Sequence, residues 1–184
     1  MIAALVILGI AVLIGLWVMG AYNSLVRLRN GVKEAWAQID VVLKRRHDLI
    51  PNLVETAKGY MQHERDTLEN ITKARNLAQQ AQGVGEQAKA ESQLGQALSN
   101  FYVVVENYPD LKANTNFLQL QNELTNTENG ISNERQSYND AVLRLNNKVE
   151  MFPSNIIAGM FNFSQAEFFE IENEAEREVP KVSF

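Results

Sequence analysis

IAALVILGIAVLIGLWVMGA, residues 2–21, runs directly into YNSLVRLRNGVKEAWAQIDVVLKRRHDLIPNLVETAKGY, residues 22–60. How this junction is read decides the fold. The first block holds no charged side chain, and the first one in the chain after it is Arg27. Twenty helical residues rise about 30 Å, the thickness of a bilayer's hydrocarbon core. Trp17 and Tyr22 flank the downstream end, where amphipathic rings settle at headgroup level. A cleaved secretory signal would carry a basic start, a shorter apolar run and a small-residue cleavage site, and none of these is present. Residues 1–21 are therefore predicted to span a membrane. Ala11 and Gly15 form a small-xxx-small pair on that helix, a spacing that lets spans pack closely and is also common by chance.

The second block is amphipathic. Leu25, Leu28, Val32, Trp36, Ile39, Leu43, Ile50, Leu53, Ala57, Tyr60, Leu68, Ile71 and Ala78 recur mostly at steps of three or four, the period of a helix with one buried face. The phase largely survives Pro51, which removes a backbone donor and crowds the preceding turn. The expectation is one helix from Ile2 to Gln82, kinked or broken at Pro51 and, if continuous, about 120 Å long. Gly83-Val84-Gly85 is the first strong break. A second helix follows over 86–107, with Ala88, Leu94, Leu98, Phe101, Val104 and Val105 inside, and Tyr108-Pro109-Asp110 is a turn.

A third helix is predicted over 115–151. Phe117, Leu124, Ile131, Tyr138, Leu145 and Phe152 stand seven apart, the spacing of a coiled-coil seam. Pro153 ends that helix, and the greasy residues Ile156, Ile157, Met160, Phe161 and Phe163 follow. A last short helix is expected over 165–178, rich in glutamate. No alternating strand pattern competes. The fold class is all-α: a transmembrane helix continuing into an antiparallel, four-helix bundle of long helices. Its organisation is a span at 1–21, a bundle at 22–152, and an apolar segment with an acidic tail at 153–184.

Composition narrows the functions. The chain has 184 residues, 46% apolar and 21% charged, with net charge −5 and no cysteine. Disulfides, zinc-thiolate sites, iron–sulfur clusters and cysteine nucleophiles are excluded, and the acidic balance argues against nucleic-acid binding. Charge is polarised. Residues 22–50 carry six basic and three acidic side chains, whereas 150–184 carry two and seven. Basic residues beside a span favour the cytoplasmic side, so the C-terminal domain is expected in the cytoplasm.

No catalytic signature stands out. His63-Glu64 starts like a zincin motif, but position 67 is Thr. Lys44 and Tyr60 occupy the positions where a di-iron bundle would carry glutamate before His47 and His63. No cofactor or metal is expected. Four charged residues fall on apolar phases: Arg46 and Glu64 on the first helix, and Glu128 and Arg135 on the third. Arg29, Arg46, Glu128 and Arg135 make a candidate polar layer inside the bundle, in which an arginine of the first helix holds Glu128. Such layers set helix register. The other reading is that these side chains reach outward to water.

The stretches Ala35-Trp36-Ala37-Gln38-Ile39-Asp40, Asp48-Leu49-Ile50-Pro51-Asn52-Leu53, Tyr138-Asn139-Asp140-Ala141-Val142 and Phe152-Pro153-Ser154-Asn155-Ile156-Ile157 resemble the bacterial LemA family. The resemblance implies a single-pass inner-membrane protein with a helical soluble domain, and kinship with magnetosome membrane proteins. It carries over no catalytic residue. The function expected is therefore a membrane-anchored scaffold acting by protein–protein contact, chiefly as a homo-oligomer, without catalysis. Ile156, Ile157, Met160, Phe161 and Phe163 are its candidate interface. The alternative is an adaptor or regulator of a membrane-bound enzyme such as a quality-control protease.

Overall fold

The computed structural model describes residues 1–170. All regular structure among them is helical: α1 (Ile2–Lys58), α2 (Arg65–Gln80), α3 (Val84–Val105), α4 (Pro109–Lys112), α5 (Thr115–Glu150) and α6 (Ser154–Met160). The chain divides into two compact units. The first holds Met1–Asp40 and Asn133–Phe168; the second holds Val41–Ser132 with Phe169 and Glu170.

Helix α1 continues through Pro51 without a break. A proline there leaves the carbonyl of His47, four residues earlier, without its usual helical donor. Arg75 of α2 supplies one: its Nε donates to the His47 carbonyl at 2.7 Å. The expected helix over 2–82 is instead divided at 59–64. Beyond Lys58 the chain turns at Gly59, the Met61 side chain plugs the core, and α2 starts afresh at Arg65. Periodicity alone concealed this break, because Leu68 and Ile71 resume the apolar phase on the next helix.

The second unit is a bundle of the last turns of α1, α2, α3 and the first half of α5. Ile50, Leu53, Ile71, Leu94, Phe101 and Phe117 are all 1% exposed or less in its core. Burying each such side chain contributes about 1.5–3 kcal/mol. Tyr60 meets Asn114 while Arg45 meets Glu123, so α1 and α5 run antiparallel here. Asn114 caps α5 by accepting the Phe117 amide at 3.0 Å. Gly83 leads into α3 at φ +82°, a backbone conformation glycine adopts without penalty.

In the first unit, α1 and α5 are again antiparallel: Trp36 lies against Tyr138, and Tyr22 against Phe161 and Phe163. Ala21 and Leu25 of α1 pack with Ile157, Ala158 and Phe163. The apolar stretch of α1 is bare. Five seam residues of α5, from Phe117 to Leu145, are buried, whereas Phe152, one step past the helix, is 79% exposed.

The expected helix over 165–178 is not formed within its described part: Gln165–Glu170 is irregular. Side chains of α5 take its backbone groups instead. Asn146 donates to the Ala166 carbonyl at 3.0 Å and accepts its amide at 2.8 Å, and the Tyr138 hydroxyl donates to the Glu167 carbonyl at 2.8 Å. The rest of the acidic tail lies outside the described residues.

Candidate functional site

The densest polar chemistry lies inside the second unit. Arg46 of α1 is 2% exposed and Glu91 of α3 likewise. One guanidinium nitrogen, Nη2, donates to the Glu91 carboxylate and, at 3.2 Å, to the Glu91 carbonyl. The other, Nη1, donates to Glu128 of α5. His47 Nε2 stands 2.7 Å from Glu91 Oε1, and Gln87 Nε2 donates to that oxygen at 2.8 Å. A carboxylate only accepts, so a proton on His47 Nε2 completes this hydrogen bond. Gln87 also donates to the Ala78 carbonyl of α2 at 3.0 Å. One charge centre thus ties four helices together.

Why an arginine belongs inside a core follows from this pairing. A lone buried charge is expensive, but a guanidinium with two carboxylates and a carbonyl around it is largely compensated. Burial by itself would raise the Glu91 pKa. The His47 hydrogen bond and the Arg46 charge outweigh that and hold it below the ordinary carboxylate range. Glu128 reaches Arg46 from outside, with its side chain 59% exposed. It stands at the edge of a cleft of about 390 Å³ lined also by Gly95, Ser99, Tyr102, Thr125 and Asn129. Burial, with Glu128's charge behind it, pushes the Tyr102 hydroxyl up to about 12. Tyr102 therefore stays protonated at neutral pH. Arg46 Nε is buried with no protein hydrogen-bond partner.

The four residues of the sequence-derived layer fall in different places. Arg46 and Glu128 are paired. Arg29 is exposed on the first unit, its guanidinium carbon 5.0 Å from the Phe163 ring centre. Arg135 is half-buried on α5 in that same unit. Glu91, the deepest member of the network, was not singled out from sequence. The signal was present, since Glu91 stands three residues from both Ala88 and Leu94 on the inner stripe of α3. His63 is exposed, while His47 is buried. Among the described residues no three His, Asp or Glu side chains converge as metal ligands would.

The other notable surface belongs to the first unit. Ile157 and Phe163 are buried against α1, whereas Ile156, Met160 and Phe161 are 52%, 67% and 48% exposed, respectively. The apolar segment is therefore half anchor and half open face. Ala11 and Gly15 are exposed on the bare helix, with nothing within 4 Å of a Cβ added at Gly15.

A family model described as the LemA family matches residues 35–184. The chain is 28% identical over 152 residues to Protein LemA of Metamycoplasma hominis, a match covering 82% of this chain and 69% of that protein. It is 23% identical over 175 residues to Magnetosome protein MamQ 2 of Paramagnetospirillum magneticum, covering 81% of this chain and 64% of the relative. Magnetosome protein MamQ of Magnetospirillum gryphiswaldense is 20% identical, with 80% and 64% covered. The chain thus spans less than two thirds of the magnetosome relatives. An N-terminal helix long and apolar enough to cross a bilayer, together with such relatives, fits a membrane protein.

Proposed function

Starting from the premise that the chain belongs to the LemA family, we propose that it is a membrane-anchored helical scaffold that works by contact, associating with further copies of itself. The observation that carries this reading is the Arg46 network. The strongest buried chemistry of the domain is spent on holding helices: one guanidinium takes two carboxylates, and a histidine and a glutamine complete Glu91. A domain with a locked register and a lipid anchor is suited to present fixed surfaces. The bare span and the uninterrupted α1 support the anchoring half of the proposal. The basic side chains Arg27, Arg29 and Lys33 beside the span favour a cytoplasmic domain in a bacterial inner membrane.

Exposed apolar side chains for such contact exist on the second unit. Val103 of α3 and Leu77 of α2 are 68% and 54% exposed. The test is photo-crosslinking of the full-length protein in native membranes from positions 77 and 103. A ladder of adducts between copies is expected. A single hetero-adduct of fixed stoichiometry would replace self-association by the adaptor reading. Turnover of a substrate by the purified protein would remove the scaffold reading altogether.

A further inference from the structure

The turn between α5 and α6 lies where a soluble surface should not. Helix α1 is apolar from Ile2 to Ala21, so Ala21 marks the water-side edge of the hydrocarbon if Ile2–Ala21 spans it. Ile157, Ala158 and Phe163 pack on Ala21 and Leu25. That places α6 within about 6 Å of the edge, measured as four residues of helical rise. The Phe161 ring lies 4.8 Å from that of Tyr22, the residue after the span. Met151 and Phe152 reach further still: they line one cleft of about 400 Å³ with Trp17 and Gly20, residues inside the span.

These neighbours leave the outward faces of the segment with one environment. Phe152 is 79% exposed, Met160 67%, Met151 62%, Ile156 52% and Phe161 48%. Five large apolar side chains grouped on eleven residues form a patch of the kind that marks an interface. Their height along α1 makes the bilayer the surface they meet. Lys148 lines the same cleft, a position from which a long cationic side chain can reach lipid phosphates at the boundary. Trp17 and Tyr22 mark the same headgroup level on α1.

We infer that residues 151–161 form a second membrane contact, a tip that enters the headgroup and upper acyl region beside the span. The tip rests on the reading of Ile2–Ala21 as a span and adds a lipid-binding element to it. The occupant is the lipid surface itself. The patch therefore gives the domain two points of attachment to one leaflet, the span and the tip.

The chain has no cysteine, so any introduced thiol is unique. Full-length Phe152→Cys, Ile156→Cys and Met160→Cys variants would carry an environment-sensitive fluorophore in liposomes of phosphatidylcholine and phosphatidylglycerol. Leu8→Cys in the span serves as the reference. All three tip positions are mostly exposed, so labelling leaves core packing intact, and Ile156→Cys gives an independent reading if either neighbour misfolds. Lipids brominated high on the acyl chain should quench the tip labels several-fold relative to the same lipids without bromine. Quenching at 8 but not at the tip would overturn the tip and leave the span standing. No quenching at 8 would overturn both. Labels at the tip that are blue-shifted but unquenched would assign the patch to a second copy and overturn the lipid contact.

Discussion

Two arginines on the same helix meet opposite fates. Arg46 is drawn into the core of one unit and neutralised by Glu91 and Glu128. Arg29 stays on the surface of the other and rests over the Phe163 ring. The difference lies in what the facing helices offer. At Arg46, α3 and α5 each bring a carboxylate; at Arg29, the C-terminal segment brings an aromatic face. An arginine can be buried where its charge is matched, and elsewhere it covers apolar surface with its stem while its head stays wet. The same helix therefore carries a register lock in one unit and an aromatic collar in the other.

The comparison is broken most severely at Glu91. Removing one partner of a buried ion pair strands the other, at a cost of about 3–5 kcal/mol. Glu91→Ala should lower stability by that amount in denaturant titration of the full-length protein in detergent. The double variant with Arg46→Ala should cost much less than the sum of the two singles. The acid limb has a definite sign. Because the folded Glu91 pKa is held below its ordinary value of 4.5, its contribution is complete above about pH 4.5 and is lost as pH falls through the lowered value. The wild-type melting temperature should drop over that window, and Glu91→Gln should flatten the drop.

Arg75→Ala is next. It orphans the His47 carbonyl, a loss of about 1–3 kcal/mol. Pro51→Ala in the same chain should recover part of that, because the alanine amide can reclaim the carbonyl. Equal melting temperatures for Arg75→Ala with and without Pro51→Ala would remove the argument. The smallest effect is expected at Arg29→Ala, about 0.5–1 kcal/mol for an exposed cation–π contact. A larger loss in the same titration would erase the contrast between the two arginines.

Much of the fold was legible from period alone. The seven-residue spacing from Phe117 to Leu145 identified the buried face of α5, and the stripe of α1 from Leu25 to Ile50 did the same. What period could not show was the end of α1. Tyr60 and Leu68 sit on phase, so a turn at Gly59 with Met61 folded inward left the pattern unbroken. The segment after α6 was obscure for another reason. Phe168 and Phe169 invite a helical reading, but the backbone there is held by the side chains of Asn146 and Tyr138, and long-range side-chain pairing leaves no periodic trace. In the polar network, Arg46 and Glu128 could be found as charges on apolar stripes. Glu91 obeyed the same rule and needed only the same question put to α3.

The guanidinium of Arg75 stands in for an amide that Pro51 cannot supply, and that substitution has a cost in autonomy. A fragment ending at Lys58 would leave the His47 carbonyl without that donor. The stretch of the longest helix around His47 is thus completed by a side chain of its successor, so its hydrogen bonding is whole only once α2 has docked.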